Sequence, residues 1–199
     1  MAQFSSVSTD AIAYGFKPYI TPFGSPQVRF YQESTAVSSQ VIRAGHVVSF
    51  DTVAGTNSNR IVTAPSSGGA AARMLNTTNV VGVALANSTS DGSTTGLGTF
   101  GCLIPVAVAD ANTIFLGYLC GDLPNVSSIV GLQRAVKWDS TRNVFTVDST
   151  NSTAADWSVV ITGVPPGSVA GGESNDTVGD TNGPVLFKFL SSQTAPTVR

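Results

Sequence analysis

The chain has 199 residues, of which 11% are charged and 42% are hydrophobic, and its formal net charge is −2. Soluble domains carry roughly 25% charged residues, so this composition offers no basic surface for nucleic acid or for an anionic membrane. No apolar run reaches the about 18 residues of a membrane helix. The first residues lack the basic and apolar regions of a signal peptide, so we expect the chain to fold in a cytoplasm.

Residues 1–34 are predicted to form an extended N-terminal arm. Pro18, Pro22 and Pro26 recur at every fourth position, which excludes a helix and weakens a central strand. The arm is richer in aromatic residues than a flexible linker, so its rings must be buried against its own domain, a neighbouring subunit or another protein. The candidate contact residues are Phe4, Tyr14, Phe16, Tyr19, Phe23, Arg29, Phe30 and Tyr31.

Residues 35–190 are predicted to form one all-β domain, and 191–199 a C-terminal tail. Short runs rich in β-branched and aromatic residues are bounded by Gly, Pro, Asn, Asp and Ser, which is typical of strands joined by turns. A short helical turn is predicted only at 69–75, and we find no convincing internal repeat. The predicted strands cover 36–42, 46–52, 60–64, 80–86, 99–109, 113–119, 133–138, 144–148, 157–163 and 185–190.

This succession of short strands predicts a small β-barrel or β-sandwich. Three polar segments rich in Gly, Ser, Thr and Asn are predicted to be long surface loops. They cover residues 87–98, 149–156 and 165–183.

Few residues could carry chemistry. His46 is the single histidine and begins a predicted strand, where bonding to backbone or solvent is its ordinary role. Cys102 and Cys120 match no zinc spacing, and a cytoplasmic origin favours free thiols over a disulfide. The loop at 173–182 is rich in oxygen ligands but lacks EF-hand spacing, which favours a solvated loop over a calcium site. We therefore predict no catalytic residue, no metal and no cofactor.

Three stretches resemble the capsid decoration, or cement, proteins of tailed bacteriophages. The first reads VIRAGHVV at 41–48 and continues with VVGVALA at 80–86; the second reads IPVAVADANTIF at 104–115; the third reads GDTNGPVLF at 179–187. The resemblance implies a non-enzymatic virion protein that binds the outside of a capsid assembled in the host cytoplasm. It also implies the major capsid protein as partner and a homotrimer. The aromatic arm departs from the shortest members of the family.

Two other classes of function remain open. A carbohydrate-binding or adhesive module of a virion fibre would use Trp138 and Trp157 as an exposed aromatic platform, although a Trp in a sandwich is more often buried. A small lyase or hydrolase on a β-scaffold would depend on His46.

Overall fold

The structure, a computed structural model, describes residues 15–19, 25–34, 42–51, 60–63, 73–74, 79–88, 103–121, 127–140, 143–165 and 183–190. Within these ranges it contains eleven strands, two short 3-10 turns and no α-helix, which confirms the predicted all-β class. The strands are β1 (Lys17–Tyr19), β2 (Val28–Glu33), β3 (Val47–Phe50), β4 (Arg60–Thr63), β5 (Val80–Ala84), β6 (Leu103–Val108), β7 (Ile114–Cys120), β8 (Gln133–Asp139), β9 (Val144–Asp148), β10 (Val159–Gly163) and β11 (Pro184–Phe189).

Strands β2 to β6 close into a barrel. β2 pairs antiparallel with β6 and parallel with β4, while β4–β3, β3–β5 and β5–β6 are antiparallel. Alternate residues of a strand share one side of the sheet, and those that fill the centre of this barrel are apolar. This first barrel encloses Ile42, Val48, Ile61, Val81, Ala84, Ile104 and Val106, all of them buried.

Strands β7 to β11 form a second closed ring. β7 pairs antiparallel with β11 and parallel with β9, while β9–β8, β8–β10 and β10–β11 are antiparallel. β1 lies outside this ring and pairs antiparallel with the first half of β7. We call this ring the second barrel.

The two barrels have the same topology. When β2 to β6 are matched in order with β7 to β11, every pairing has a counterpart of the same direction, including the parallel pairing of the first strand with the third. The ladders also correspond, because the pair Tyr31–Ile104 occupies the place of Gly117–Val185. The sequence analysis missed this repeat because equivalent positions carry different residues, and only the order and pairing of the strands are shared.

One hydrophobic cluster joins the two barrels. It contains the interior residues of the second barrel, such as Phe145 and Phe187, together with Val47, Val83 and Ala107 from the first barrel. Val47 and Val83 are paired across β3 and β5, and they share the face opposite the interior of the first barrel. The outer wall of the first barrel is therefore packed into the same core that fills the second.

The predicted helical turn at 69–75 is wrong where the structure describes it. Arg73 forms a β-bridge with Lys137, and the Met74 N–H donates to the carbonyl of Val136 at 2.7 Å. Met74 is buried in the shared cluster, so tertiary packing outweighs the helix propensity of an Ala-rich segment. The rest of that segment lies outside the described residues.

The other predicted elements have mixed outcomes. The prediction of β9 at 144–148 matches its observed bounds. Residues 36–41 of the first predicted strand lie outside the described residues, and Ile42 belongs to no strand. The predicted loop at 149–156 contains turns and a 3-10 turn at Ala154–Asp156, whereas the loop at 165–183 lies almost wholly outside the described part of the chain.

The described part of the predicted arm is built into both barrels. β1 extends the sheet of β7, and β2 is a strand of the first barrel. The Phe16 N–H donates to the carbonyl of Gly45 at 3.3 Å, while the Phe16 ring lies 4.6 Å from the ring of Phe187. The described residues of the predicted arm therefore pack with both barrels, and the boundary at residue 34 stays a prediction.

We predict that Phe16→Ala destabilises the fold by about 3–5 kcal/mol, the usual cost of emptying a buried aromatic site. Phe16 is 1% exposed, and its loss leaves a cavity in the core of the second barrel. Urea unfolding followed by tryptophan fluorescence measures the effect. Phe30→Ala is the matched control, because Phe30 is 66% exposed and its loss changes stability by only about 0.5 kcal/mol. Equal effects of the two variants would contradict the placement of Phe16.

Candidate functional site

The most exposed large apolar side chains of the described residues gather on the outer wall of the first barrel. Val28 is 46% exposed, Phe30 66% and Leu103 63%. Val28 and Phe30 are two residues apart on β2, and Phe30 lies opposite Pro105 on β6, so these side chains share one side of the sheet. We call Val28, Phe30, Leu103 and Pro105 the β2–β6 face.

The β2–β6 face is apolar because β6 carries apolar residues on both of its sides and β2 adds Val28 and Phe30 to the outer side. The inward residues Ile104 and Val106 fill the barrel, and Tyr31 packs against Phe50 with ring centroids 5.9 Å apart. The outward side chains of Val28, Phe30 and Leu103 are instead exposed. A contiguous exposed apolar group of this kind marks a contact surface.

The structure places the predicted contact residues in different environments. Phe30 lies on the exposed β2–β6 face, whereas Phe16 is buried in the chain's own hydrophobic core. Tyr19 is half-buried beside Ile114. Arg29 and Tyr31 are half-buried on the side of β2 opposite Phe30. Phe4, Tyr14 and Phe23 lie outside the described residues.

Val28 and Leu103 were missed as contact candidates. Sequence reasoning treated the aromatic rings of the arm as the contact signal and named no contact residue on β6. The available signal was the composition of β6, in which consecutive positions are apolar instead of alternating with polar ones. A strand that is apolar on both sides needs a partner on both sides.

His46 ties the two barrels together. Its Nε2 lies 3.0 Å from the carbonyl oxygen of Asn143 and donates to it, while Nδ1 accepts the N–H of Arg43 at 3.2 Å. The imidazole packs edge-on against Trp138, with centroids 5.1 Å apart, and it is buried. Both ring nitrogens are thus bonded to backbone groups, as the sequence analysis expected for a histidine at a strand end.

The environment of His46 favours the neutral imidazole. Burial lowers the pKa of His46 from 6.5 to about 4; the bond to Asn143 opposes this shift, and the charge of Arg43 adds to it. At neutral pH the ring is therefore an uncharged connector between the start of β3 and the β8–β9 hairpin. A group with these bonds has a structural role in the junction.

A buried polar cluster lies at one end of the first barrel. Glu33 accepts the hydroxyl of Ser88 at 2.7 Å, and the hydroxyl of Ser34 donates to the carboxylate of Asp51. Burial raises the pKa of Glu33, and the Ser88 hydrogen bond opposes that rise. The sequence analysis did not predict this cluster. Each carboxylate is held by a hydroxyl, which is the arrangement expected of buried polar groups that stabilise a fold.

A second charged cluster holds the segment after β9. Arg73 Nε lies 3.1 Å from Asp148 Oδ2, and Nη1 lies 3.6 Å from Asp156 Oδ2. Burial would raise the pKa of Asp148, but hydrogen bonds from Thr150 and Arg73 outweigh it and lower the pKa. Asn151 adds a bond from Nδ2 to Asp156 at 2.9 Å. These contacts fix the 149–156 segment against residue 73.

The other candidate residues of the sequence analysis either pack within the fold or lie outside the described residues. Cys120 is a free thiol that accepts the hydroxyl of Thr146 at 3.1 Å, and burial raises its pKa. Trp138 packs on His46 and Phe145, so it cannot form a flat exposed platform with Trp157. Cys102 and the candidate calcium loop at 173–182 lie outside the described residues.

The described residues contain neither a candidate metal cluster nor a membrane-spanning helix. Among them, no group of three or more His, Cys, Asp or Glu side chains is placed to hold a metal ion. No helix in the described part of the chain is long and apolar enough to cross a membrane. The chain matches no protein-family model and no curated protein sequence.

We predict that His46 makes stability depend on pH between about 6.5 and 4. The folded pKa lies below the unfolded value, so the unfolded chain binds more protons in this range. The stabilisation is complete above pH 6.5 and is lost as the pH falls towards 4, by about 3 kcal/mol in total. Urea midpoints measured from pH 7 to pH 4 test this.

His46→Gln supplies the comparison, because an amide keeps one donor and one acceptor but does not titrate. The variant should fold at neutral pH and lose less stability on acidification than the unchanged chain. If both lose the same free energy over this range, His46 is not the titrating group.

Proposed function

We propose that this protein is a non-enzymatic virion structural protein that decorates a tailed-phage capsid by binding its outer surface. The observation that carries the proposal is the β2–β6 face, whose large apolar side chains are solvent-exposed on a closed barrel. The resemblance of residues 41–48, 80–86, 104–115 and 179–187 to decoration proteins supplies the identity of the partner, the major capsid protein.

The character of the described residues supports a binding role. The side chains of His46 and Cys120 could in principle take part in catalysis, but both are hydrogen-bonded within the protein. His46 bonds to backbone groups between the two barrels, and Cys120 accepts a hydroxyl within the second barrel. The β2–β6 face lies on paired strands of a barrel, and such a scaffold presents side chains in a fixed arrangement. A rigid, nearly uncharged surface suits a shell protein that gains affinity from shape and apolar contact.

The proposal includes a homotrimer on the capsid exterior. Its support is the family resemblance, together with an exposed apolar face that a neighbouring subunit or the shell would cover. Under this proposal the chain folds in the host cytoplasm and ends in the virion.

The adhesive alternative is weaker because the described packing of Trp138 removes half of the aromatic platform that it needs. Trp157 is half-buried, and its indole N–H is buried without a hydrogen-bond partner. Glycan binding therefore stays a possible outcome of the test below and is not part of the proposal.

We predict that Phe30→Ser weakens binding to purified capsids at least tenfold, because a large exposed aromatic side chain at an interface centre contributes more than about 1.4 kcal/mol. Cosedimentation with capsids that lack the protein measures the affinity. Val130→Ser is the matched control, because Val130 is 43% exposed but follows the 3-10 turn of the second barrel.

The proposal fails if the unchanged protein does not bind capsids, or if it instead binds a glycan array through Trp157. Binding that Phe30→Ser and Val130→Ser weaken equally would show that the β2–β6 face is not the contact. Light scattering of the unbound protein tests the trimer separately, and a monomer both in solution and on the capsid would contradict it.

A further inference from the structure

The repeated topology exposes a difference between the two barrels at one strand edge. In the second barrel, the first strand of the repeat, β7, pairs with β9 through its last residues, Leu119 and Cys120, and with β1 through its first residues. In the first barrel, the equivalent strand β2 pairs with β4 through Gln32 and Glu33. No described strand pairs with the first half of β2 on that side.

The hydrogen bonds at the two ends of β2 show which of its backbone groups face β6 and which face the opposite edge. The Val108 N–H donates to the carbonyl of Gln27 at 2.8 Å, and the Ser34 N–H donates to the carbonyl of Ile61 at 2.9 Å. Neighbouring strand residues point their backbone groups in opposite directions. Odd-numbered residues of β2 therefore bond to β6, and the backbone N–H and C=O groups of Val28 and Phe30 point to the other edge.

The backbone groups of β7 alternate in the same way, and β1 pairs with the edge that corresponds to the outer edge of β2. The Leu119 N–H donates to the carbonyl of Gly183 at 3.1 Å, and the carbonyl of Cys120 accepts the Ser149 N–H at 2.9 Å. The backbone groups of Ile114 and Leu116 therefore point away from β11 and towards β1. By the match of the two ladders, Ile114 corresponds to Val28 and Leu116 to Phe30.

β1 shows what kind of strand this edge accepts. Lys17 lies opposite Leu116, Pro18 opposite Phe115 and Tyr19 opposite Ile114. Pro18 falls at the position whose backbone points away from β7, so its missing N–H costs no ladder bond. A strand of three residues is sufficient, and the residue at its centre need not have an N–H.

Where β1 pairs with the edge of β7, the outward side chain of β7 is also buried. Leu116 on β7 is 7% exposed, whereas its counterpart Phe30 is 66% exposed. Tyr19 and the stem of Lys17 lie on the same side of the sheet as Ile114 and Leu116, because paired residues share a side. Among the described residues, the first barrel has no strand at the equivalent edge, and Val28 and Phe30 are exposed.

We propose that the backbone edge of Val28 and Phe30 is a docking site for an extended segment of a partner protein, which adds to β2 as a short antiparallel strand. The segment would carry apolar or long-stemmed side chains at the two positions opposite Val28 and Phe30. Its central residue is unrestricted and can be proline. This form of recognition combines backbone bonds for affinity with alternate side chains for specificity.

A foreign strand fits better than a second copy of the barrel. The occupant of the equivalent edge, β1, belongs to neither barrel ring, so the edge is built to receive a peripheral segment. The proposal is independent of the capsid role, since any protein with such a segment could bind.

The test uses the full chain and a capped peptide with the sequence GFKPYIT, which is residues 15–21 of this protein. In a 15N-labelled NMR titration, we expect saturable shifts and slowed hydrogen exchange at the amides of Val28 and Phe30. The amides of Ile114 and Leu116 should be protected from the start. Shifts at Ile114 and Leu116 alone, or no shift with peptide in the low-millimolar range, would overturn the proposal.

Two variants separate edge pairing from general apolar contact. Val28→Pro removes one of the two outward donors and should abolish the shifts. Leu103→Ser removes a similarly exposed side chain of the same face, but β6 is paired on both sides, so peptide binding should persist. Equal loss in both variants would assign binding to the apolar face and overturn the edge proposal.

A modified peptide avoids any effect of Val28→Pro on folding. N-methylation at the peptide Lys and Tyr removes the two donors that would bond to the edge, so this peptide should not bind. Binding at undiminished affinity would contradict strand addition. Protection of Val28 and Phe30 that appears without peptide as the protein concentration rises would identify a second copy as occupant and overturn the foreign-strand proposal.

Discussion

The insertion of Phe16 into the second barrel is the contact on which the arrangement of the chain depends. Gly117 leaves the space for it, since a Cβ there would lie 2.7 Å from the Phe16 ring and 2.8 Å from Phe187. The backbone of Phe16 is at the same time bonded to Gly45 at the turn before β3. Gly45 has a φ of +89°, and a Cβ there would lie 2.9 Å from Gly15, so both glycines are required for this close approach. A single residue thus connects the wall of one barrel with the core of the other.

The two barrels share a topology but differ in what their equivalent surfaces do. The outer side of β7 is covered, and its free edge carries β1. Among the described residues, Val28 and Phe30 on the outer side of β2 are exposed and no strand pairs with the first half of its outer edge. The two copies of one architecture therefore differ, since the second supplies most of the shared core and the first carries most of the exposed apolar side chains that the structure describes.

The all-β class and most strand positions could be predicted because β-branched runs and turn residues alternate so regularly along residues 99–163. The closing of two rings could not, since it depends on parallel pairings such as Leu119 with Val147 that leave no local pattern. The burial of Phe16 was also hidden, because composition shows that a ring must be buried but not where. Phe30 was identified as a contact candidate, whereas Leu103 looked like an ordinary core residue.

We infer that the two barrels are one cooperative unit, because they share a hydrophobic cluster. Native-state hydrogen exchange in low urea is the decisive measurement, with amides of Val48 and Val81 reporting on the first barrel and those of Val136 and Ile161 on the second. We expect the most protected amides of both barrels to open with the same free energy and the same urea dependence. Two distinct opening free energies, with the first barrel unfolding while the second stays protected, would contradict it.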